Sequence, residues 1–172
     1  MKKAILVSTV VLLMAALTAC GGNKANNNAA DGAGNGANPP AATETTAGTY
    51  VDGSYKVEAD AFDSHGWKPF IELVIKDHKI DSVNFDYVNE EGAMKTESAE
   101  YKAAMEPQSG TYPEKYTAEL EQQLIDKQSI SDVDVITGAT TSSNNFHALV
   151  KVALDDLAVT GETSTKAITI EE

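Results

Sequence analysis

The segment Asp134-Val135-Ile136-Thr137-Gly138-Ala139-Thr140-Thr141-Ser142-Ser143 carries the densest chemistry in this 172-residue chain. One carboxylate opens it, hydroxyls fill its second half, and Gly138 and Ala139 supply the small residues that a close turn needs. The run leads into a helix, so its Thr and Ser hydroxyls gather at a helix N-terminus, where backbone amides lack partners and the helix dipole is positive. A phosphate group is favoured at such a point. A loop of this kind holds a phosphate or presents an oxygen to be phosphorylated, with Thr140 offering the hydroxyl; as a purely structural feature, its Thr and Ser would cap the helix.

Such a loop needs elements to hold it. Upstream, Val133 and Val135 alternate with Asp132 and Asp134, which predicts a brief strand. Downstream, Phe146, Leu149, Val150, Ala153, Leu154 and Leu157 form one apolar stripe at helical spacing, predicting a helix from about Ser143 to Ala158 that Gly161 stops. Pro113 suits a first helical turn, with Tyr116, Leu120 and Leu124 spaced four apart behind it, and Tyr101 and Met105 suggest a short helix before that. The first half reads with period two. Tyr55, Val57, Ala59 and Ala61 face one way; Ile71, Leu73 and Ile75 follow a Gly66-Trp67 turn; Val83, Phe85 and Tyr87 follow a tight turn at Asp77-His78-Lys79 that lacks the usual Gly or Asn. Ile168 and Ile170 either add an edge strand or fray. The fold class is α+β: a small antiparallel sheet, a meander of three or more strands, packed with two to three helices.

Composition removes several alternatives. All 13 basic residues are Lys, against 26 acids, for a net charge of −13. Nucleic-acid binding requires clustered cations and favours Arg, so that class is excluded. His65, His78 and His147 show no metal-ligand spacing, and a single cysteine rules out an internal disulfide or a Cys-rich metal site. That cysteine, Cys20, ends a segment in which Lys2 and Lys3 precede an uncharged apolar run, Ala4 to Ala16, and then Leu17-Thr18-Ala19. The run is too short to span a bilayer and has the form of an export signal, residues 1–19, whose end resembles a bacterial lipobox. Cys20 is then a lipid attachment point. Residues 21–49 hold 8 Ala, 6 Gly and 6 Asn and no aromatic, Val, Ile, Leu or Met. Residues 20–49 therefore read as the lipidated Cys and a disordered tether, 50–160 as the folded domain and 161–172 as a polar tail.

The loop also resembles a family signature. Asp134-x-x-Thr137-Gly138-Ala139-Thr140 resembles the flavinylation motif of FMN-binding domains, which occur in the sodium-pumping NADH:quinone reductase and in Rnf complexes. The wider pattern is similar to extracellular electron-transfer lipoproteins of Gram-positive bacteria, among them those that encode peptide pheromones. It includes Gly66-Trp67-Lys68, Phe85-Asp86-Tyr87-x-Asn89, Gly92-x-x-Lys95, Tyr101, Met105, Tyr116 and Phe146-x-x-Leu149, and it covers Tyr50 to Ala158.

The resemblance implies FMN joined covalently to Thr140 by a phosphoester bond. A separate FAD:protein FMN transferase using Mg²⁺ would install it, with Thr140 as acceptor and not catalyst. Gly138 would let the backbone pass close to the phosphate, and Ala139 would leave room. Thr137 and the amides of Thr141 and Ser142 are candidate phosphate donors. Asp134, an acid, is unsuited to that job and falls to loop shape or transferase recognition. Trp67, Tyr87 and Phe146 are candidate flavin-ring contacts, although Tyr87 and Phe146 lie on apolar stripes and read more simply as core. The implied function is an electron carrier on the extracytoplasmic face of the cell membrane, held by its lipid, with a membrane quinone-linked donor and an extracellular or membrane acceptor. Two alternatives stand beside it: a lipoprotein whose cleaved signal segment is a peptide pheromone, and a non-redox binding lipoprotein.

Overall fold

The computed structural model describes residues 50–170. The export signal, Cys20 and the tether lie outside the described residues. Strands β1 (Gly53–Ala59), β2 (Trp67–Lys76) and β3 (Lys79–Asn89) form an antiparallel meander, and a short β4 (Lys166–Ile168) lies parallel to β1, giving the order β3-β2-β1-β4. Three helices follow the meander: α1 (Ala99–Ser109), α2 (Pro113–Lys127) and α3 (Thr140–Val152), the last widening into a π-helical turn over Ala153–Ala158.

The period-two pattern does what it predicts. Tyr55, Val57 and Ala59 of β1, Ile71, Leu73 and Ile75 of β2, and Phe85 and Tyr87 of β3 are all buried, and register places Val57 opposite Ile71 and Ile71 opposite Phe85. Against this face pack α2, along β3, and α3, across β1 and β2. Every apolar residue of the predicted α3 stripe is buried. The outer face carries charge, including a directly opposed Lys56–Glu72 pair at 3.1 Å. Ala61 is exposed beyond the end of β1, and of the two outcomes for the Ile168 region the strand forms.

The β2–β3 hairpin turns through two residues, Asp77 (φ 52°) and His78 (φ 62°), both left-handed and neither Gly. That conformation is costly for residues with a Cβ. It is supported from β1's approach, where the Asp52 carboxylate accepts the amides of Asp77 at 3.1 Å and His78 at 2.9 Å.

The expected strand at Val133–Val135 does not form. Ile130–Asp132 is a 3-10 turn and the chain then runs irregularly to the helix. Side chains of α2 hold this segment in place of a partner strand, Gln123 and Lys127 bonding Asp134. β4 occupies the outer edge of β1, and α2 side chains serve the edge of β3: Gln128 exchanges two hydrogen bonds with Ile80's backbone, each 2.8 Å, and Glu121 accepts from Phe85 N–H at 2.7 Å. Helix α3 also begins at Thr140, three residues before the expected start, which places Thr140, Thr141 and Ser142 in its first turn.

Candidate functional site

The loop from Val133 to Thr140 is held by side chains of its neighbours. Val133 is buried and Val135 exposed, so the segment is anchored at one end. Asp134 N–H donates to Gln123 Oε1 at 2.9 Å, and Lys127 Nζ donates to Asp134 Oδ2 at 2.8 Å and to Gln123 Oε1 at 3.0 Å. Gln123 and Lys127 are one turn apart on α2, so a single helix face clamps the loop's acid. The hydrogen bond and positive charge of Lys127 hold the Asp134 carboxyl below the usual carboxylate range. Ser143 closes the other end: its hydroxyl accepts Ile136 N–H at 3.0 Å and donates to Ala139 O at 2.9 Å.

Gly138 is required by its surroundings. Its φ is +83°, and a Cβ there would stand 2.4 Å from the carbonyl oxygen of Ser109 at the end of α1. Ala139 beside it is buried, its N–H donating to Ile136 O at 2.9 Å. The turn therefore lies flat against α1 and releases the chain outward at Thr140, which is exposed.

Helix α3 starts differently from its companions. Residue Ala139 caps it with no side-chain hydrogen bond and no acid lies in its first turn, whereas α1 has Glu100 and α2 has Glu114. Ser143 is the first residue whose amide reaches back, to Ala139 O, so among the described residues the amides of Thr140, Thr141 and Ser142 have no acceptor. Three open donors, a positive dipole end and an exposed hydroxyl meet at one spot. A phosphate ester fits such a spot on chemical grounds.

Two hollows adjoin residues that flank Thr140, Thr141 in one and Thr137 in the other. The first, a cleft of about 600 Å³, is lined by Thr141 and Asn145 of α3, by the 60–65 loop including Asp63, and by Pro69 and Ile170. The second, a groove of about 400 Å³, holds Thr137, Ile136, Thr111 and Lys115. A volume of about 600 Å³ is in the range of cofactor clefts. A further hollow of about 650 Å³, lined by Ser129, Ile130 and His147, contains none of the sequence-predicted site residues.

The structure thus brings Thr137, Gly138, Ala139, Thr140, Thr141 and Ser142 into one turn and turns Asp134 away toward α2. The Ser142 side chain points inward to the phenols of Tyr87 and Tyr116, leaving its amide at the helix start. Phe146 and Tyr87 are enclosed, Phe146 packing edge-on against Phe85 at 5.1 Å, so neither ring faces solvent. Trp67 is half-buried in the wall formed with Tyr101, ring centroids 6.2 Å apart. Sequence reasoning missed Asn145, whose Nδ2 donates to the Tyr87 hydroxyl at 3.1 Å. The signal was there: a polar residue on the buried side of α3, next to Phe146. Burial pushes the Tyr87 hydroxyl up to about 12, so it stays protonated.

The molecule is a small α+β module with an exposed threonine at an uncapped, acid-free helix start and a cofactor-sized cleft beside Thr141. The model of the FMN-binding domain family matches residues 66–155, and the chain belongs to that family. It is similar to the 15 kDa lipoprotein of Treponema pallidum (strain Nichols), 39% identical over 103 residues that make up 60% of this chain and 73% of that protein. It is also similar to the crystal structure of the CPE2226 protein from Clostridium perfringens, with a TM-score of 0.68 and 40% identity over 71% of this chain and 99% of that one.

Proposed function

We propose that this protein is a membrane-anchored electron carrier whose FMN is joined to Thr140 by a phosphoester bond. The observation that carries the reading is the setting of Thr140, an exposed hydroxyl on the first residue of a 13-residue helix whose leading amides are unpaired. The chain's own residues act by position. Gly138 and Ala139 press the turn against α1 so that Thr140 projects. The Thr140, Thr141 and Ser142 amides would receive the phosphodiester charge, with Thr137 beside them. Asp134, clamped by Lys127 and Gln123, shapes the loop while its charge is kept off the phosphate.

Loading is the work of another protein, an FAD:protein FMN transferase with Mg²⁺. Thr140 Oγ attacks the FMN-side phosphorus of FAD; the Oγ–P bond forms, the pyrophosphate P–O bond breaks, AMP leaves and the hydroxyl proton passes to the transferase. Such a transfer depends on positioning and charge neutralisation, so the acceptor need only be exposed and correctly shaped. Once bound, FMN supplies one- and two-electron redox chemistry. Electrons enter from a quinone-linked donor of the membrane and leave to an extracellular or membrane acceptor, with no substrate turned over by this chain itself.

The anchor is Cys20, carrying a diacylglycerol thioether on the extracytoplasmic face of the cell membrane; the relative in Treponema pallidum, a lipoprotein by name, supports this. The chain without its export signal would carry 11 Lys against 26 acids, a net charge of −15, so anionic lipid repels the domain and the lipid alone holds it near the surface.

The test is coexpression of the protein with an FMN transferase, followed by a denaturing gel viewed for flavin fluorescence. Fluorescence should co-migrate with the wild type and disappear in Thr140→Ala. A fluorescent Thr140→Ala band, or a dark wild-type band, would overturn the proposal.

A further inference from the structure

Lys95 is the one lysine buried among the described residues, 5% exposed. The chain after β3 puts it there. Asn89 Oδ1 accepts the amides of Glu91 and Ala93, Met94 bridges back to Val88, and Lys95 N–H donates to Tyr87 O at 2.9 Å. The side chain then enters a cage of three rings. Its Nζ lies 4.3 Å from the ring centroid of Tyr87, 4.3 Å from that of Tyr101 and 5.6 Å from that of Trp67.

The ammonium has three N–H donors, and among the described residues its contacts are with these three ring faces rather than with a carboxylate. The nearby acids are already committed. Asp86 accepts from the amides of Tyr87 and Thr96 and from the Thr96 hydroxyl; Asp63 accepts from the amides of His65 and Trp67. A purely structural residue in this place would be cheaper as an apolar side chain of similar volume, because a buried charge without an ion pair is costly. Burial accordingly draws the Lys95 ammonium down to about 8, with Asp63 and Asp86 opposing the fall at longer range.

The cage backs onto the candidate site. Tyr87, whose face meets the ammonium, takes its hydrogen bond from Asn145 on α3, the helix that opens with Thr140. Asn145, Thr141 and Asp63 line the same cleft, and Asp63 also fixes the Trp67 backbone. Lys95 is thus linked to the cleft wall through Tyr87, which Asn145 bonds, and through Trp67, whose backbone Asp63 holds.

We propose that Lys95 supplies positive charge that favours the reduced over the oxidised flavin. This rests on the reading that FMN is carried at Thr140. When FMN is bound, reduction by a hydroquinone-type donor would add two electrons and one proton to the ring and leave it an anion; the donor would be oxidised to the quinone and release its second proton to solvent. A cation nearby lowers the energy of the anion and leaves the neutral oxidised ring almost unaffected.

The experiment uses flavinylated wild type, Lys95→Met and Lys95→Arg. In-gel fluorescence after denaturation reads loading, and a spectroelectrochemical titration against dyes of known potential reads the flavin. Lys95→Met should load as well as wild type and shift the reduced-to-oxidised ratio about tenfold toward the oxidised form, about 30 mV downward for a two-electron couple. Lys95→Arg should recover most of the shift. A loaded Lys95→Met protein with the wild-type potential would overturn the proposal and leave the Thr140 reading intact, and so would a potential lowered equally in both variants. Absence of flavin from the wild type would instead overturn the reading on which the proposal rests. Should Lys95→Met misfold, Lys95→Gln read in the same titration carries the same prediction.

Discussion

Replacing Gly138 with alanine puts a methyl group where there is no room for one. The added Cβ would lie 2.4 Å from Ser109 O and 3.0 Å from Ser109 Cβ, and the backbone at φ +83° is one that L-residues avoid. The left-handed conformation costs about 1–2 kcal/mol and overpacking against a fixed carbonyl about 1–3 kcal/mol more, so the total is about 2–5 kcal/mol. Against a domain stability of roughly 5–15 kcal/mol that cost is large, and the loop can relieve it by lifting off α1. Thr140 is two residues away and moves with it. Urea denaturation should show the destabilisation, and the initial rate of flavin incorporation by the transferase should fall at least tenfold while Thr140 is still present. Wild-type labelling kinetics together with a stability change below about 0.5 kcal/mol would refute the idea that this close contact sets the loop.

Three further outcomes are expected. Lys127→Met should return the Asp134 carboxyl to its ordinary titration range, read by carboxyl NMR; because the folded-state value is depressed, the stability this pair contributes is present at neutral pH and is lost as pH falls through that depressed value. Gln128→Ala leaves the Ile80 N–H and C=O at the β3 edge without their two 2.8 Å partners, and should cost about 1–3 kcal/mol in urea denaturation with Thr140 labelling retained. Phe146→Ala empties a fully buried site between the sheet and α3 and should cost about 3–5 kcal/mol, whereas Lys56→Ala, which breaks a half-exposed outer-face pair with Glu72, should cost under about 1 kcal/mol.

Elements whose signal is local were legible in the chain. Period-two burial marks β1 to β3, Pro113 with the four-residue spacing of Tyr116, Leu120 and Leu124 marks α2, and the stripe from Phe146 to Leu157 marks α3. The misread strand at Val133–Val135 has the right alternation, but its polar groups are taken by Gln123 and Lys127 of α2 rather than by a neighbouring strand, a contact between elements that alternation alone does not show. The non-Gly hairpin at Asp77-His78 is likewise explained only by Asp52, which reaches it from 25 residues away. At the site, the type and order of Thr137, Gly138 and Thr140 pointed to phosphate chemistry. The clamp on Asp134, the Ser109 contact behind Gly138 and the three-ring cage around Lys95 were hidden, because each joins elements far apart along the chain.

The most direct measurement is mass spectrometry of a proteolytic peptide spanning Thr140, taken from protein coexpressed with an FMN transferase and denatured before digestion. The peptide should be heavier by FMN less one water, with fragmentation placing the added mass on Thr140 and nowhere else in the loop. An unmodified peptide, flavin released into the supernatant on denaturation, or the added mass on Thr137, Thr141 or Ser142 would contradict the assignment of Thr140 as the covalent flavin site.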